Sequence, residues 1–402
     1  MLRVPVDQIY PGMVLARPIP MPSDPRRFVL PRDSELTADA ITRLRAMGVQ
    51  EVWIRYRSLE FLESFVDEEL GQVQRDVYAN VRRAFESIMR DAAAELDVRR
   101  FQDAISALFG FLRENAQGNV LLQKLDAFDN YLISHSANVC YLSLLLGMKL
   151  DEYFAAELPS ETSDAKRNLQ VLGLGCLLHD VGKLRVPLEV LNKPGPLTDD
   201  EMDVVKLHTV YGYEMVRGRV PAEVEEVVLH HHQRWAGGGY PQTGRTPSGR
   251  ELFEMWGNRI PVVARIAAIC DVYDALTSRR AYCGPKLPVQ ALYEMRACCR
   301  GFFDPVVEQC FREVIPPFPI GQVVTLSDGV DAAVVDFNPL FPSRPKVQCI
   351  RTPDGAAIDD PAREEIDLSI ETHLEIVAVD GHDVRKYATT PRETAELALV
   401  FA

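Results

Sequence analysis

The run His179-Asp180-Val181-Gly182-Lys183 follows directly on the apolar pair Leu177-Leu178. It sets an imidazole beside a carboxylate, then a turn glycine and a lysine. Successive helical residues point about 100° apart, so the pair cannot chelate one ion symmetrically. It can flank a shared site, the carboxylate bridging two metals while the imidazole holds one of them. Alone, such a pair is usually two hydrogen-bonded neighbours. Other donors keep it company. Leu172 and Cys176 lead to His179 and Asp180 at helical spacing, and Val204 and Leu207 precede His208, with Tyr211 and Met215 beyond. Val224, Val227 and Val228 lead to His231 and His232, while Ile260, Val263, Ala264 and Ala267 lead to Asp271, then Asp274 and Ala275. Each donor falls on the face its helix must bury, where an unpaired charge is costly. The expectation is a metal centre built from His179, Asp180, His208, His231, His232 and Asp271, with a hydrogen-bonded polar core as the competing reading.

His230 lies off the Val224–Val227–Val228 stripe and reads as a spectator. His135 opens a further helix, Tyr131–Cys140, as another ligand or a hydrogen-bond donor at the centre. Nitrogen and oxygen donors without a thiolate suit iron or manganese, and zinc also accepts them. A bridging carboxylate with two ions is the geometry that activates water for attack on phosphorus.

The elements that must position these groups belong to a chain of 402 residues, 47% hydrophobic and 25% charged, long enough for two or three domains. No continuous apolar run reaches the ~18 residues of a membrane span, and the start MLRVPVDQIYPGM lacks a secretory pattern. Cytoplasm, with no membrane partner, is therefore expected. The net charge of −14 argues against long nucleic acid as a partner, but not against a small anion met by metal ions. The eight cysteines form no CxxC pair and read as buried free thiols.

The expected fold is mainly α, a helical bundle with a small α/β domain before it and a small β domain after it. Residues 1–58 form the first unit. Short strands at Arg3–Val6, Met13–Arg17, Phe28–Leu30 and Glu51–Ile54 surround one helix that Thr37 caps and Gly48 ends. Residues 59–119 read as a helical connector or dimer helix, the pattern fitting equally a helix packed on its own domain. Pro159–Lys166 reads as a mobile loop between helices. Residues 120–315 hold the metal-binding bundle. In 316–402 the character turns to strands, with a hairpin about Asp328-Gly329 and further strands at Lys346–Arg351 and His373–Val379, as in a small barrel or sandwich. His373 and His382 read as surface residues there.

The motifs together resemble the HD-GYP family, the bacterial cyclic di-GMP phosphodiesterases of the HD superfamily. The matching pieces are Asp129–Ser136, His179–Lys183, Val190–Gly195, Leu207–Gly212, His231–Pro241 and Asp271–Ser278, covering roughly residues 120 to 312 in the family's order. The small N-terminal unit and the closing β-segment are similar to ones that accompany such modules. The resemblance implies an HD-type bundle and makes His179, Asp180, His208, His231, His232 and Asp271 the ligands of two divalent ions, iron or manganese, with Asp180 bridging. It places His135 at the metal pocket, Lys183 on the attacked phosphate, Tyr240 and Pro241 at the nucleotide site, and Arg280 on a ligand phosphate. A bridging hydroxide would then cleave cyclic di-GMP to pGpG, with onward cleavage to GMP as a further step. Members with a third metal carry a glutamate where this chain has Tyr131, so two metals are implied. The family also implies docking of a GGDEF-type diguanylate cyclase through the GYP loop, and a homodimer is a further expectation.

Departures from the family pattern motivate an alternative. The family reads His-His-Glu and then Asp-Gly before Gly-Tyr-Pro, whereas this chain has Gln233 and Ala236. Those carboxylates brace the loop in the family, so a changed loop geometry is implied. Cys283 stands where a basic residue is expected after Arg280. The alternative is a degenerate module that binds cyclic di-GMP or a diguanylate cyclase without turnover. A third reading is an HD hydrolase for another phosphate ester.

Overall fold

The structure is a computed structural model that describes residues 1–21, 24–57, 59–65, 68–90, 98–114, 131–157, 165–278, 284–358 and 365–387. The chain begins with β1 (Leu2–Pro5), β2 (Ile19–Met21), β3 (Asp24–Leu30), α1 (Ala38–Ala46) and β4 (Glu51–Ile54). β1 pairs antiparallel with β4, Leu2 opposite Ile54, and β2 with β3. Thr37 caps α1 by accepting from the Ala40 amide at 3.2 Å, and Gly48 follows the helix at φ 76. The strand expected at Met13–Arg17 is reduced to isolated bridges, Val14 to Glu35 and Leu15 to Ile54. Its backbone bonds are divided between two neighbours: Leu15 N donates to Ser34 O at 2.9 Å and Leu36 N to Met13 O at 2.7 Å on one side, and Ala16 N donates to Trp53 O and Arg55 N to Val14 O, each at 2.8 Å, on the other.

A long helical stretch follows: α2 (Glu68–Arg90), α3 (Val98–Glu114), α4 (Tyr131–Lys149), α5 (Asp151–Glu157), α6 (Ala165–Leu178), α7 (Leu188–Leu191), α8 (Asp199–Lys206), α9 (His208–Val216) and α10 (Ala222–His230). A hairpin of β5 (Gly244–Arg245) and β6 (Glu251–Leu252) leads to α11 (Val262–Thr277), α12 (Pro288–Cys298) and α13 (Pro305–Val314). α4 is the central rod, buried almost all round and packed on α6, α11 and α2. It is long and apolar enough to cross a membrane by length and composition, yet 78% of that window is buried within the bundle. Ser134, His135, Ser136 and Asn138 interrupt its apolar run, which is why a search for continuous apolar residues passes it over. The stripe Val77, Val81 and Phe85 of α2 is buried in the same core as Ile105 and Leu108 of α3. α6 passes close to α10 because Gly175 has no side chain; a Cβ there would lie 2.6 Å from Val227 Cγ2.

The last part is one antiparallel six-stranded sheet built from β7 (Val323–Leu326), β8 (Asp331–Asp336), β9 (Lys346–Arg351), β10 (Glu365–Asp367), β11 (Ile376–Val379) and β12 (His382–Asp383). Its order is β10-β9-β8-β7-β11-β12. The β7–β8 hairpin turns at Asp328-Gly329, with Gly329 at φ 88. Val324, Leu326, Val334 and Ile350 of the sheet share an apolar cluster with Met1, Leu2, Leu59 and Leu62. The N-terminal unit and the six-stranded sheet therefore share a core, tied also by Arg3 N to Gly321 O at 2.8 Å and Tyr56 Oη to Ile350 O at 3.1 Å. Cys140, Cys176, Cys270, Cys310 and Cys349 are buried free thiols; Cys298 is exposed and Cys299 half-buried. Residues 159–164 of the expected inter-helix loop, the 119/120 boundary, Asp129, Arg280 and Cys283 lie outside the described residues.

Candidate metal centre

Every helix ends with carbonyls that have no amide to accept from. Three of the expected ligands use that fact. His179 Nδ1 lies 2.7 Å from Cys176 O at the end of α6, and His208 Nδ1 lies 2.7 Å from Val205 O at the end of α8. His231 Nδ1 lies 3.0 and 3.1 Å from Val227 O and Val228 O at the end of α10. A carbonyl can only accept, so each Nδ1 carries the hydrogen and each Nε2 presents a lone pair. Most of the ligands thus sit at helix ends, where the apolar stripes run out. His179 and Asp180 fill the turn after α6, His208 follows the break between α8 and α9, and His231 and His232 follow α10. His208 opens α9, and Asp271 sits well inside α11.

Gly182 brings the first turn against α9. A Cβ at Gly182 would stand 1.8 Å from His208 O and 2.4 Å from Gly212 N, so no other residue lets the two backbones meet. With the turn seated, Asp180 Oδ1 lies 3.3 Å from His208 Nε2, and Oδ2 lies 3.4 Å from His179 Nε2 and 3.6 Å from His135 Nε2. Lys183 Nζ reaches the same Oδ2 at 2.5 Å. Asp271 Oδ1 is 3.9 Å from His179 Nε2, and Oδ2 is 3.8 Å from His232 Nδ1. Ligand atoms of Asp180, His208, His231 and His232 fall within 4.8 Å of one another, as do those of His135, His179 and Asp180, and those of His179, His231 and Asp271. Asp180 belongs to the first two groups, which is where a bridging carboxylate would stand.

The hydrogen bonds count against the polar-core alternative. His179 Nε2 and Asp180 Oδ1 are fully buried and make none, and such atoms are rarely left so without a missing partner. Protonation states point the same way. Burial opposes ionisation of Asp180, yet Lys183 and His179 hold its carboxyl well below the usual range. Burial likewise opposes Asp271, and His135 and His232 overcome it. Burial pushes His208 down to about 4 and His232 to about 3, in each case against an attracting carboxylate. His231 is held well below its ordinary range by burial and the neighbouring imidazoles. Neutral imidazoles and ionised carboxylates are the forms that bind metal. These His/Asp clusters suit divalent metal ions.

His135 differs from the other histidines. Burial disfavours its charge, but bonds to Asp271 Oδ1 at 2.9 Å and Asp274 Oδ2 at 2.8 Å raise it to about 9. Tyr131 stacks on its ring with centroids 5.2 Å apart. Asp274 was visible only as the next position on the α11 stripe; a second carboxylate one turn beyond Asp271 on a buried face was the available signal. His230 is as buried as its neighbours, but its Nε2 faces Glu226 Oε2 at 3.2 Å and it joins none of the ligand groups. Tyr240 stacks on His232 with centroids 4.5 Å apart, which puts the glycine-rich loop and Pro241 at the rim of the cluster.

The family model described as HD domain matches residues 148–307, and one described as a KOW domain associated with HD domain matches residues 323–386. A cyclic di-GMP phosphodiesterase of Pseudomonas aeruginosa is 34% identical over 72% of this chain and 70% of its own length. A cyclic di-GMP phosphodiesterase of Thermotoga maritima is 36% identical over 34% of this chain and 35% of its own. A 3'3'-cGAMP-specific phosphodiesterase of Vibrio cholerae is 34% identical over 34% of this chain and 24% of its own. With an HD domain carrying the clustered donors and a relative matched along most of its length, the chain belongs to the HD-GYP family of HD-domain proteins.

Proposed function

We propose that the protein is a metal-dependent phosphodiesterase that hydrolyses cyclic di-GMP to pGpG, with onward cleavage to GMP as a further step. The observation that carries this reading is the set of Nε2 lone pairs of His179, His208 and His231 meeting the oxygens of Asp180 and Asp271 in a buried pocket. His179, Asp180, His208, His231, His232 and Asp271 would hold two divalent ions, iron or manganese by the nature of the donors. Bound there, such ions supply positive charge to phosphate oxygens and lower the pKa of a water for attack on phosphorus.

The chain's own residues do the rest. Asp180 reaches both halves of the cluster and fixes their spacing. Lys183, half-buried beside it, offers its ammonium to the charge that grows on the phosphate's non-bridging oxygens. His135 is anchored at both nitrogens and holds Asp271 in place. Tyr240, stacked on His232, and Pro241 form a wall for the nucleotide. Arg280 would bind a ligand phosphate. Docking of a GGDEF-type diguanylate cyclase through the loop rests on the family resemblance, and a homodimer on the helical stretch 59–119 read as a dimer helix.

The test is anaerobic reconstitution with iron or manganese, followed by assay against cyclic di-GMP, 3'3'-cGAMP and mononucleotide esters. Turnover of cyclic di-GMP is expected. A filled metal site without turnover ends the reading, and tight binding without product favours the binding-only module. Faster turnover of another ester would reassign the substrate.

A further inference from the structure

Gln233 occupies the position where the family carries glutamate, and its surroundings explain an amide better than a missing acid. The side chain is buried directly after His232. Its Nε2 donates to Pro241 O at 2.6 Å and its Oε1 accepts from Met255 N at 3.3 Å. A backbone carbonyl only accepts and a backbone amide only donates, so the two ends of the amide are assigned without ambiguity. A carboxylate at this position has no hydrogen for Pro241 O and would set two acceptors face to face.

These bonds hold the loop that carries Tyr240. Gly239 lies flat on the same backbone; a Cβ there would come within 2.6 Å of Gln233 Cα and His232 O. Tyr240 N then donates to His232 O at 3.2 Å, and its ring stacks on the His232 ring. The segment after β6 supports the loop from the other side. Glu254 Oε1 accepts from Gly238 N at 2.6 Å, and Gly257 N donates to Trp235 O at 2.8 Å. At position 236, where the family carries aspartate, the backbone does the bracing: Trp235 N bonds Phe302 O at 2.9 Å and Ala236 N bonds Gly301 O at 2.8 Å.

We propose that Gln233 is a positioning residue for Tyr240 and Pro241, acting through a donor–acceptor amide that glutamate cannot replace, with Glu254 as the carboxylate that braces the loop in this chain. For its catalytic consequence this rests on the phosphodiesterase reading above; for its structural part it does not.

Two variants test it, Gln233→Met, which keeps the length and removes both bonds, and Gln233→Glu, which restores the family's residue. Acrylamide quenching of Trp235, read with Trp53 and Trp256 replaced by Phe, reports the loop whether or not the protein is an enzyme. Quenching is expected to rise in both variants while metal content stays that of the parent. With cyclic di-GMP, KM is expected to rise about tenfold in Gln233→Glu, the cost of one lost hydrogen bond, and at least as much in Gln233→Met, with kcat changed far less. Unchanged quenching in Gln233→Met, or Gln233→Glu matching or exceeding the wild type in kcat/KM, would overturn the proposal. If the metal-filled wild type does not turn over, the enzyme reading falls and the quenching result still decides the role of Gln233.

Discussion

His208 Nε2 and His231 Nε2 face each other at 3.3 Å, although both rings have already given their Nδ1 hydrogen to helix carbonyls. Two lone pairs at that separation repel unless a proton or a cation lies between them, and burial keeps both rings neutral. Metal is therefore expected to bind the folded chain far more tightly than the unfolded one. Adding manganese to chelator-treated protein should raise Tm by about 5 °C or more, as ligand at a hundred times Kd contributes roughly 2.7 kcal/mol. His231→Ala should abolish that shift. A Tm indifferent to chelator and metal would refute the centre.

Asp274 acts through His135. Its Oδ2 accepts from His135 Nδ1 at 2.8 Å and so turns His135 Nε2 toward Asp271. Asp274→Ala should lower kcat/KM or metal affinity ten- to a hundredfold, the usual cost of losing a group that orients a metal-site histidine. Asp274→Asn keeps an oxygen that can accept and should lose less. Activity of metal-saturated protein and a metal titration distinguish the two effects, and equal behaviour of both variants would count against an orienting role.

The bundle and its donors were legible because burial imposes helical spacing on apolar residues, and Leu172, Val224, Val227 and Val263 carry that spacing plainly. What spacing cannot express is where a helix stops. His208 continues the Val204–Leu207 stripe in sequence, yet α8 ends before it, and there His208 Nδ1 takes up the carbonyl of Val205. Gln233 shows the opposite case. Compared with the family's motif it looks like a lost acid, and its partners Pro241 O and Met255 N belong to segments whose approach no local pattern encodes. The shared core of Met1, Leu2, Val324 and Ile350 is likewise a contact between segments more than 300 residues apart, beyond the reach of periodicity.

Gly182 makes a sharp prediction about folding. A methyl group there would collide with backbone, His208 O and Gly212 N, neither of which can swing aside as a side chain would. Gly182→Ala should therefore cost about 4 kcal/mol or more, placing it among the severe single substitutions, and should remove metal binding with it. Gly238→Ala is the control for a glycine in open space: its cost should reflect only the strained φ of 79 and stay near 1–2 kcal/mol. Urea unfolding of both variants checks the difference, and comparable costs would mean that the turn and α9 do not meet as described.

Asp380 lies far from the metal centre, at the turn between β11 and β12, and makes a prediction about pH. Burial pushes its carboxyl from the ordinary 3.8 up to about 6, against a hydrogen bond from Gln322 Nε2 at 3.1 Å and the charge of Arg3. Its Oδ1 is buried with no hydrogen bond. The folded chain thus holds this proton more tightly than the unfolded chain. Below about pH 4 the group costs nothing; as pH climbs toward 6 the fold loses stability, and above that the whole cost is present. Asparagine is uncharged throughout and accepts the residue's φ of 47. Asp380→Asn should therefore raise stability by about 1–3 kcal/mol at pH 7, at about 1.4 kcal/mol per unit of pKa. The gain should fade as pH falls toward 4. Urea unfolding at the two ends of that window measures it, and a gain that does not vary with pH, or a loss at pH 7, would show that the ionised carboxylate is not what strains this turn.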